Sequence, residues 1–493
     1  MKRNQKLWTA LLVTMVLAFH NRVSAQSRNK TNFIQFLTDD QGWGDLHAFG
    51  HPDIKSPHID KLAEEGLKFT QCYSASSVCS PARSAILTGR TPYRNGVYRW
   101  VPANHYCYLR ASEVTLPQLL KEEGYQTAHF GKWHLSSYSE ERIPKKRAQY
   151  RNYGYETDPN QPTMNEYGYD YWLATGNVAR PSHKNPQNFF LNGTGLGEIK
   201  GYSAQIVAKY VVEWIKEHRE PGRPFFMTVW FHEPHGPVDS DPEFMKRYDK
   251  LKDESLKQYL ANITQIDEAV GAIVKALDEA GETDNTLIWY TSDNGPEGRH
   301  PYGTFNQSDD PFNGSRYRGS TGGLRGRKRH THEGGIRVPG IIKWPAGQRQ
   351  AGFVPGSVIS EPIIGSDVFP TLLEIAGAKV PRGVKLDGES IRPLLAGKKM
   401  HRKKPLYWRN NFNDVRIALR DGDWKVVGNS ERTVFELYNI RHDPRETTDW
   451  ATREPKRFER MKQALIEYDK EVLAEGPDWW KKEKRINSRM PEL

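Results

Sequence analysis

Short apolar runs recur along the chain, and each ends in polar side chains able to do chemistry. Residues 33–37 (FIQFL), 127–130 (TAHF), 225–231 (FFMTVWF) and 286–291 (TLIWYT) read as buried strands, since a strand covered on both faces carries a near-continuous hydrophobic run. Helical periodicity fills the intervals. Ile263, Ile266, Val270, Ile273 and Leu277 form one apolar stripe, closed by Gly281, and Ile206, Tyr210, Val211, Trp214 and Ile215 form a second, at the spacing of a one-sided helix. These are core positions. The alternation predicts an α/β fold whose large sheet is mixed, mostly parallel and sandwiched by helices.

Two stretches break the pattern. Residues 136–201 and the segment after Gly295 are rich in Tyr, Asn and Arg with weak periodicity, and loops of that length inside a domain are commonly functional. They are expected to form a substrate wall. Beyond residue 397 a basic linker leads to short β-like runs with Asp421-Gly422 as a hairpin turn, then a helix over 455–471. This predicts a small antiparallel-sheet subdomain, so the chain divides into residues 1–25, 26–397 and 398–493.

The first 25 residues combine a basic start (Lys2, Arg3, Lys6), an apolar run over 7–19 and the ending Val23-Ser24-Ala25. That is the form of a secretory signal cleaved before Gln26, the run being shorter than the roughly 20 residues a spanning helix needs. A secreted or periplasmic protein with no integral membrane segment after cleavage is expected. The net charge of +11 falls to +7 on removal of the signal's four basic residues, a surplus that favours polyanionic partners by steering. The basic tracts lack the aromatic interleaving of a nucleic-acid module. Cys72, Cys79 and Cys107 are odd in number, which in an exported chain flags one thiol as chemically special; their spacing excludes a zinc finger.

In open α/β sheets, sites form beyond the carboxyl ends of the strands. Four such ends here carry Asp39-Asp40, Lys132 with His134, His232 with His235, and Asp293-Asn294. Two pairs of oxygen donors at one sheet edge suit a hard divalent cation, Ca²⁺ or Mg²⁺, although each pair taken singly more often caps a helix or a turn. Lys132 and His134 alternate on an extended segment, and His235 and Lys328 add basic groups. A cation ringed by such groups fits a tetrahedral anion. In "CSPARSAILTGR", Pro81 presets the first helical turn and Gly89 ends it, which places Cys79 at a positive helix N-terminus. A buried inert cysteine is the alternative.

The chain closely resembles the formylglycine-dependent type I sulfatases, and among them the arylsulfatases and N-acetylgalactosamine sulfate sulfatases. The signature Cys79-Ser80-Pro81-Ala82-Arg83 with Thr88-Gly89-Arg90 carries the resemblance, together with the blocks TDDQGWGD, HFGKWHL, TSDNG, LRGRKRHTHEGGIRVPGIIKWP, LDGESIRPLLAG and LYNIRHDPRETTDWA in family order. The resemblance implies an alkaline-phosphatase-like fold and oxidation of Cys79 to formylglycine by a formylglycine-generating maturation enzyme. It also implies a metal held by Asp39, Asp40, Asp293, Asn294 and the modified Cys79. A hydrated aldehyde offers one hydroxyl to attack sulfur and another to expel the product, where a thiol would form a stable adduct. The implied roles continue with Arg83 and Lys132 fixing the hydrate, His134 as base, and His235 with Lys328 at the leaving oxygen, Lys132, His235 and Lys328 also binding substrate. Where relatives often read Gly-Gly-Lys this chain has Gly326-Arg327-Lys328 followed by Arg329, so the register of the lysine rests on Lys328. The loop aromatics and arginines point to a sulfated polysaccharide or its oligosaccharides. A phosphodiester or phosphonate monoester hydrolase is the rival within the same superfamily, and an inactive glycan-binding protein the rival outside it.

Overall fold

The computed structural model describes residues 30–101, 107–136, 161–298, 315–410 and 416–476. The expected signal at residues 1–25, the opening of the first expected wall segment (137–160), the centre of the second (299–314) and the Asn-X-Ser/Thr glycosylation sequons at Asn29, Asn306 and Asn313 lie outside the described residues.

Among the described residues, eleven strands form one mixed sheet. Its order runs Ser357–Ile359, Leu67–Tyr73, Arg337–Lys343, Thr286–Ser292, Asn32–Asp39, Phe225–Pro234, Gln126–Lys132, Tyr171–Thr175, Phe190–Leu191 and Thr194–Gly195, with Ile363–Ile364 also beside Leu67–Tyr73. The four strands expected from the apolar runs are neighbours at its centre, and they pair in parallel. Every residue in them is buried, which is why their sequences show no polar alternation. Arg337–Lys343 runs antiparallel to both of its partners.

Helices cover both faces. Along Asn32–Asp39, Phe33 and Leu37 join an apolar cluster with Ile86, Leu116, Leu120, Phe369 and Leu372. Ile34 and Phe36 join another with Val207, Val211, Ile263, Ile266 and Ile273. The expected stripes therefore lie on one side, in the helices Ser203–Glu213 and Glu254–Glu279. Trp214 and Ile215 continue the first of these as a π-helical turn over Trp214–His218. Asn262 is buried inside the longer helix, so its sequon offers nothing to a glycosyltransferase, whereas Asn192 is exposed.

The segment read as one long loop from 136 to 201 contributes three strands at the sheet edge, Tyr171–Thr175, Phe190–Leu191 and Thr194–Gly195. They are too short for periodicity to show. Residues Leu406–Asn410, Arg416–Asp421, Trp424–Asn429 and Phe435–Asn439 form a separate antiparallel sheet, with Gly422 at φ 60° in the expected hairpin turn. The helix Pro455–Leu473 covers it. This sheet docks on the main one through an apolar cluster in which Leu406, Trp408, Ala418 and Val427 meet Tyr73, Ile336 and Ile364, and through polar groups: Trp408 Nε1 donates to Ser74 O at 2.7 Å. Buried Lys425 Nζ lies 3.0 Å from Glu333 Oε1 and 2.9 Å from Glu446 Oε1. Glu333 follows shortly after Lys328 in sequence, so the docking also braces the segment that carries that lysine.

Candidate active site and metal centre

The strand Asn32–Asp39 ends at its first aspartate, and its pairing with Phe225–Pro234 shifts register between Leu37 and Asp39. In a continuing strand the two carboxylates would face opposite ways. Asp40 instead adopts φ 69°, and both reach one site. Ligand atoms of Asp39, Asp40, Cys79 and His235 all lie within 4.8 Å of one another. From the adjacent strand end, Asn294 Nδ2 donates to Asp40 Oδ1 at 2.7 Å, and Asp40 N donates to Asp293 Oδ1 at 3.2 Å. Gly295 makes no routine turn: a Cβ there would fall 2.0 Å from Gly334 O, so the residue lets this edge close against the segment after Lys328.

Three cations neutralise the cluster. Arg83 Nη2 and Nε donate to Asp293 Oδ2 at 2.7 and 3.1 Å, and Nη1 donates to Lys132 O at 2.9 Å. Lys132 Nζ donates to Asp39 Oδ2 at 2.5 Å. Lys328 Nζ lies 2.6 and 2.7 Å from the two oxygens of Asp40. Burial raises Asp39, but Lys132, His235 and Arg83 outweigh it and hold the carboxyl well below its usual range. Burial and the neighbouring Asp39 push Asp293 up to about 7.

Cys79 is the first residue of the helix Cys79–Thr88, after an extended Val78. Arg83 lies four residues on, hence on the same helix face, with its guanidinium 5.1 Å from the Trp230 ring. Burial pushes the Cys79 thiol well above its ordinary range, despite Lys132 and Lys328 nearby. The unmodified side chain is thus a neutral thiol and no ready nucleophile. Cys72 and Cys107 belong to different apolar clusters and form no disulfide.

The histidines divide. His134 does not continue an extended segment as expected: the strand stops at Lys132 and His134 takes φ 60°. Its ring is buried with no hydrogen-bond partner on either nitrogen among the described residues, and burial, Lys132 and Arg83 keep it well below its usual range. His235 Nδ1 bonds Gly236 O at 2.6 Å, leaving Nε2 3.7 Å from Asp40 Oδ2; burial and Lys328 lower it to about 4. His232 does not join them. Its Nε2 bonds Thr175 Oγ1 at 2.7 Å and its ring meets Phe189 edge-on.

Two contributors escaped the sequence analysis. His183 is buried between Asn262 Nδ2, at 3.2 Å, and the backbone of His235. Glu297, three residues past Asn294, is buried against Lys328 and Arg329. Both are brought in by the fold from segments without a motif. The structure also separates the three consecutive basic residues: Lys328 faces Asp40, whereas Arg327 and Arg329 turn to the backbone and carboxylate of Glu297.

The residues present fit a hard cation. Asp39 Oδ1 and Asn294 Oδ1 are buried acceptors without a donor among the described residues, a costly state for oxygen atoms unless a ligand completes them. The donors around them are almost all oxygen.

Comparison with known proteins places this geometry. The family model "Sulfatase" matches residues 31–378, and that of the N-sulphoglucosamine sulphohydrolase C-terminal region matches residues 326–471. Arylsulfatase G of Mus musculus is 32% identical over 398 residues, covering 77% of this chain and 71% of the relative. N-acetylgalactosamine-6-sulfatase of Canis lupus familiaris is 30% identical over 444 residues, covering 85% and 75%. The crystal structure of Ps i-CgsB in complex with k-i-k-neocarrahexaose shares the fold, with a TM-score of 0.78, 24% identity and coverage of 93% of this chain and 96% of that one. With the match spanning most of its length and the motif residues gathered at one sheet edge, the chain belongs to the sulfatase family and is a sulfuric ester hydrolase.

Proposed function

We propose that the protein is a formylglycine-dependent sulfatase that removes sulfate esters from a sulfated polysaccharide or its oligosaccharides, with a divalent cation at the Asp39 cluster. The observation that carries this reading is the convergence of Asp39, Asp40 and Cys79 within one buried group whose neighbours are Arg83, Lys132 and Lys328. Asp39, Asp40, Asp293, Asn294 and the modified Cys79 would hold the cation, Ca²⁺ by donor chemistry with Mg²⁺ as the other hard candidate. Bound there, the cation supplies charge for the sulfate oxygens and acidity for the nucleophile. The formylglycine supplies paired hydroxyls, one to attack and one to release sulfate.

The chain's own side chains do the rest. Arg83 and Lys132 fix the residue-79 side chain and the sulfate oxygens. Lys328, kept charged by Asp40 despite burial, neutralises the departing sugar oxygen. His235, with Nδ1 tied to Gly236 O, takes a proton on Nε2 when an anionic ester lies beside it and passes it to that oxygen. His134, neutral and unpartnered, accepts the proton of the second hydroxyl. The names of the relatives and of the solved structure, two of them pointing to sugars, support a glycan substrate. The signal-like start supports an exported protein, matured by a formylglycine-generating enzyme.

The test is release of inorganic sulfate from a panel of sulfated mono- and oligosaccharides by protein co-produced with that maturation enzyme, beside a Cys79→Ala control. Sulfate release absent from the control is expected, and the responding sugar identifies ring and position. Silence across the panel with Cys79 shown converted, alongside turnover of phosphate diesters or phosphonates, would overturn it.

A further inference from the structure

We infer that Glu297 is a positioning residue for the leaving-group side of the reaction, acting through Lys328. The inference rests on the function proposed above and concerns a residue outside the signature motifs. Glu297 is buried with a side-chain exposure of 4%, and it fastens a run of three consecutive basic residues. Arg327 Nε donates to Glu297 O at 3.1 Å, and Lys328 N donates to Pro296 O at 3.0 Å. Arg329 grips the carboxylate with both terminal nitrogens, Nη2 lying 3.0 Å from Oε2. Gly298 N donates to Oε1 at 3.0 Å, so the carboxylate cannot turn away.

Lys328 is the member of the run that faces the cluster. Its ammonium lies within 2.7 Å of Asp40 on one side and 3.7 Å from Glu297 Oε2 on the other. The ammonium contacts both oxygens of Asp40, a carboxylate that the cation would also need. Glu297, 3.7 Å behind it, is the second anion that would keep the ammonium in place at the edge where a sugar oxygen departs once the cation draws on Asp40. Glu297 also balances Arg329, which takes φ 72° and donates its backbone N–H to Ser77 O at 2.9 Å. The turn that presents Lys328 is therefore pinned at both of its flanking arginines by one residue, Arg329 by the carboxylate of Glu297 and Arg327 by its backbone carbonyl. A misplaced catalytic group need move only about 1 Å to cost on the order of 100-fold in rate.

Glu297→Gln keeps the shape and removes the charge. Its kcat on a sugar sulfate should fall about 100-fold with KM little changed, and the loss should be smaller on an activated aryl sulfate, whose leaving oxygen needs less neutralisation. The decisive measurement is a double-mutant cycle with Lys328→Ala. If Glu297 acts through Lys328, Glu297→Gln adds less than about threefold in that background. Glu297→Asp, which retains the charge, should recover at least tenfold of the loss, and serves in the same cycle should Glu297→Gln not fold. Losses that multiply independently in the two backgrounds, or that are equal on sugar and aryl substrates, would overturn the inference while leaving the sulfatase reading intact. A wild-type enzyme that releases no sulfate is instead a failure of that reading.

Discussion

Arg83 Nη2 stands 2.7 Å from Asp293 Oδ2, and neither side chain is exposed to solvent. The pair joins the helix that begins at Cys79 to the strand end that carries Asn294, so one contact aligns Cys79 with the oxygen-bearing cluster.

Breaking this pair should cost both stability and activity. Arg83→Ala leaves Asp293 buried without its partner, and removing one member of a buried ion pair costs about 3–5 kcal/mol. Urea unfolding should show a stability lowered by that amount, seen as an earlier midpoint, together with loss of sulfate release. A midpoint equal to wild type would show that the pair is not formed in solution.

Removing divalent cations should destabilise the protein. A cation bound by Asp39 and Asn294 would complete their oxygens, which have no donor among the described residues, so Ca²⁺ added after chelation should raise the melting temperature. The gain corresponds to about 2.7 kcal/mol at a hundredfold excess over Kd. Asn294→Ala should shrink the shift. A melting curve indifferent to Ca²⁺ and Mg²⁺ would remove the cation from this site.

His235→Ala should depend on the leaving group. Sugar sulfates, with poor leaving groups, should lose about 100-fold or more in kcat, and activated aryl sulfates far less. Equal losses on both would show that His235 does not protonate the leaving oxygen.

Stability should fall on mild acidification, and His129 is one measurable source. Burial, together with Arg83, lowers this core histidine from 6.5 to about 3, and its Nδ1 bonds Thr228 Oγ1 at 2.8 Å. Between those values the unfolded ring carries a proton that the folded ring refuses. Its contribution is thus whole above pH 6.5 and is lost as pH falls towards 3, amounting to about 2 kcal/mol by pH 5. In His129→Gln the decline in urea midpoint from pH 7 to 5 should be shallower by that share. An unchanged slope would mean that the ring titrates normally.

The central strands were legible because burial on both faces leaves an uninterrupted apolar run, and the helices because one-sided burial imposes a 3.6-residue stripe. The short edge strands from Tyr171 to Gly195 were not, since two to five residues carry no period. The hairpin at Gly422 was visible as turn chemistry that needs a positive φ.

The amino-acid order by itself determined which residues end the strands: Asp39-Asp40, Lys132, His235 and Asp293-Asn294 are local facts of sequence, as is Cys79 opening a helix with Arg83 one turn on. Only the tertiary structure decided how they meet. The φ of 69° at Asp40 and 60° at His134 sets the direction of the side chains just beyond two strand ends, and His232 is claimed by Thr175 rather than by the site. Among Arg327, Lys328 and Arg329 the choice fell to Glu297, buried where the chain returns past Asn294. Local sequence sets backbone preference and burial pattern, whereas the partner of a buried charge is whichever opposite charge the sheet order brings within a few ångströms of it.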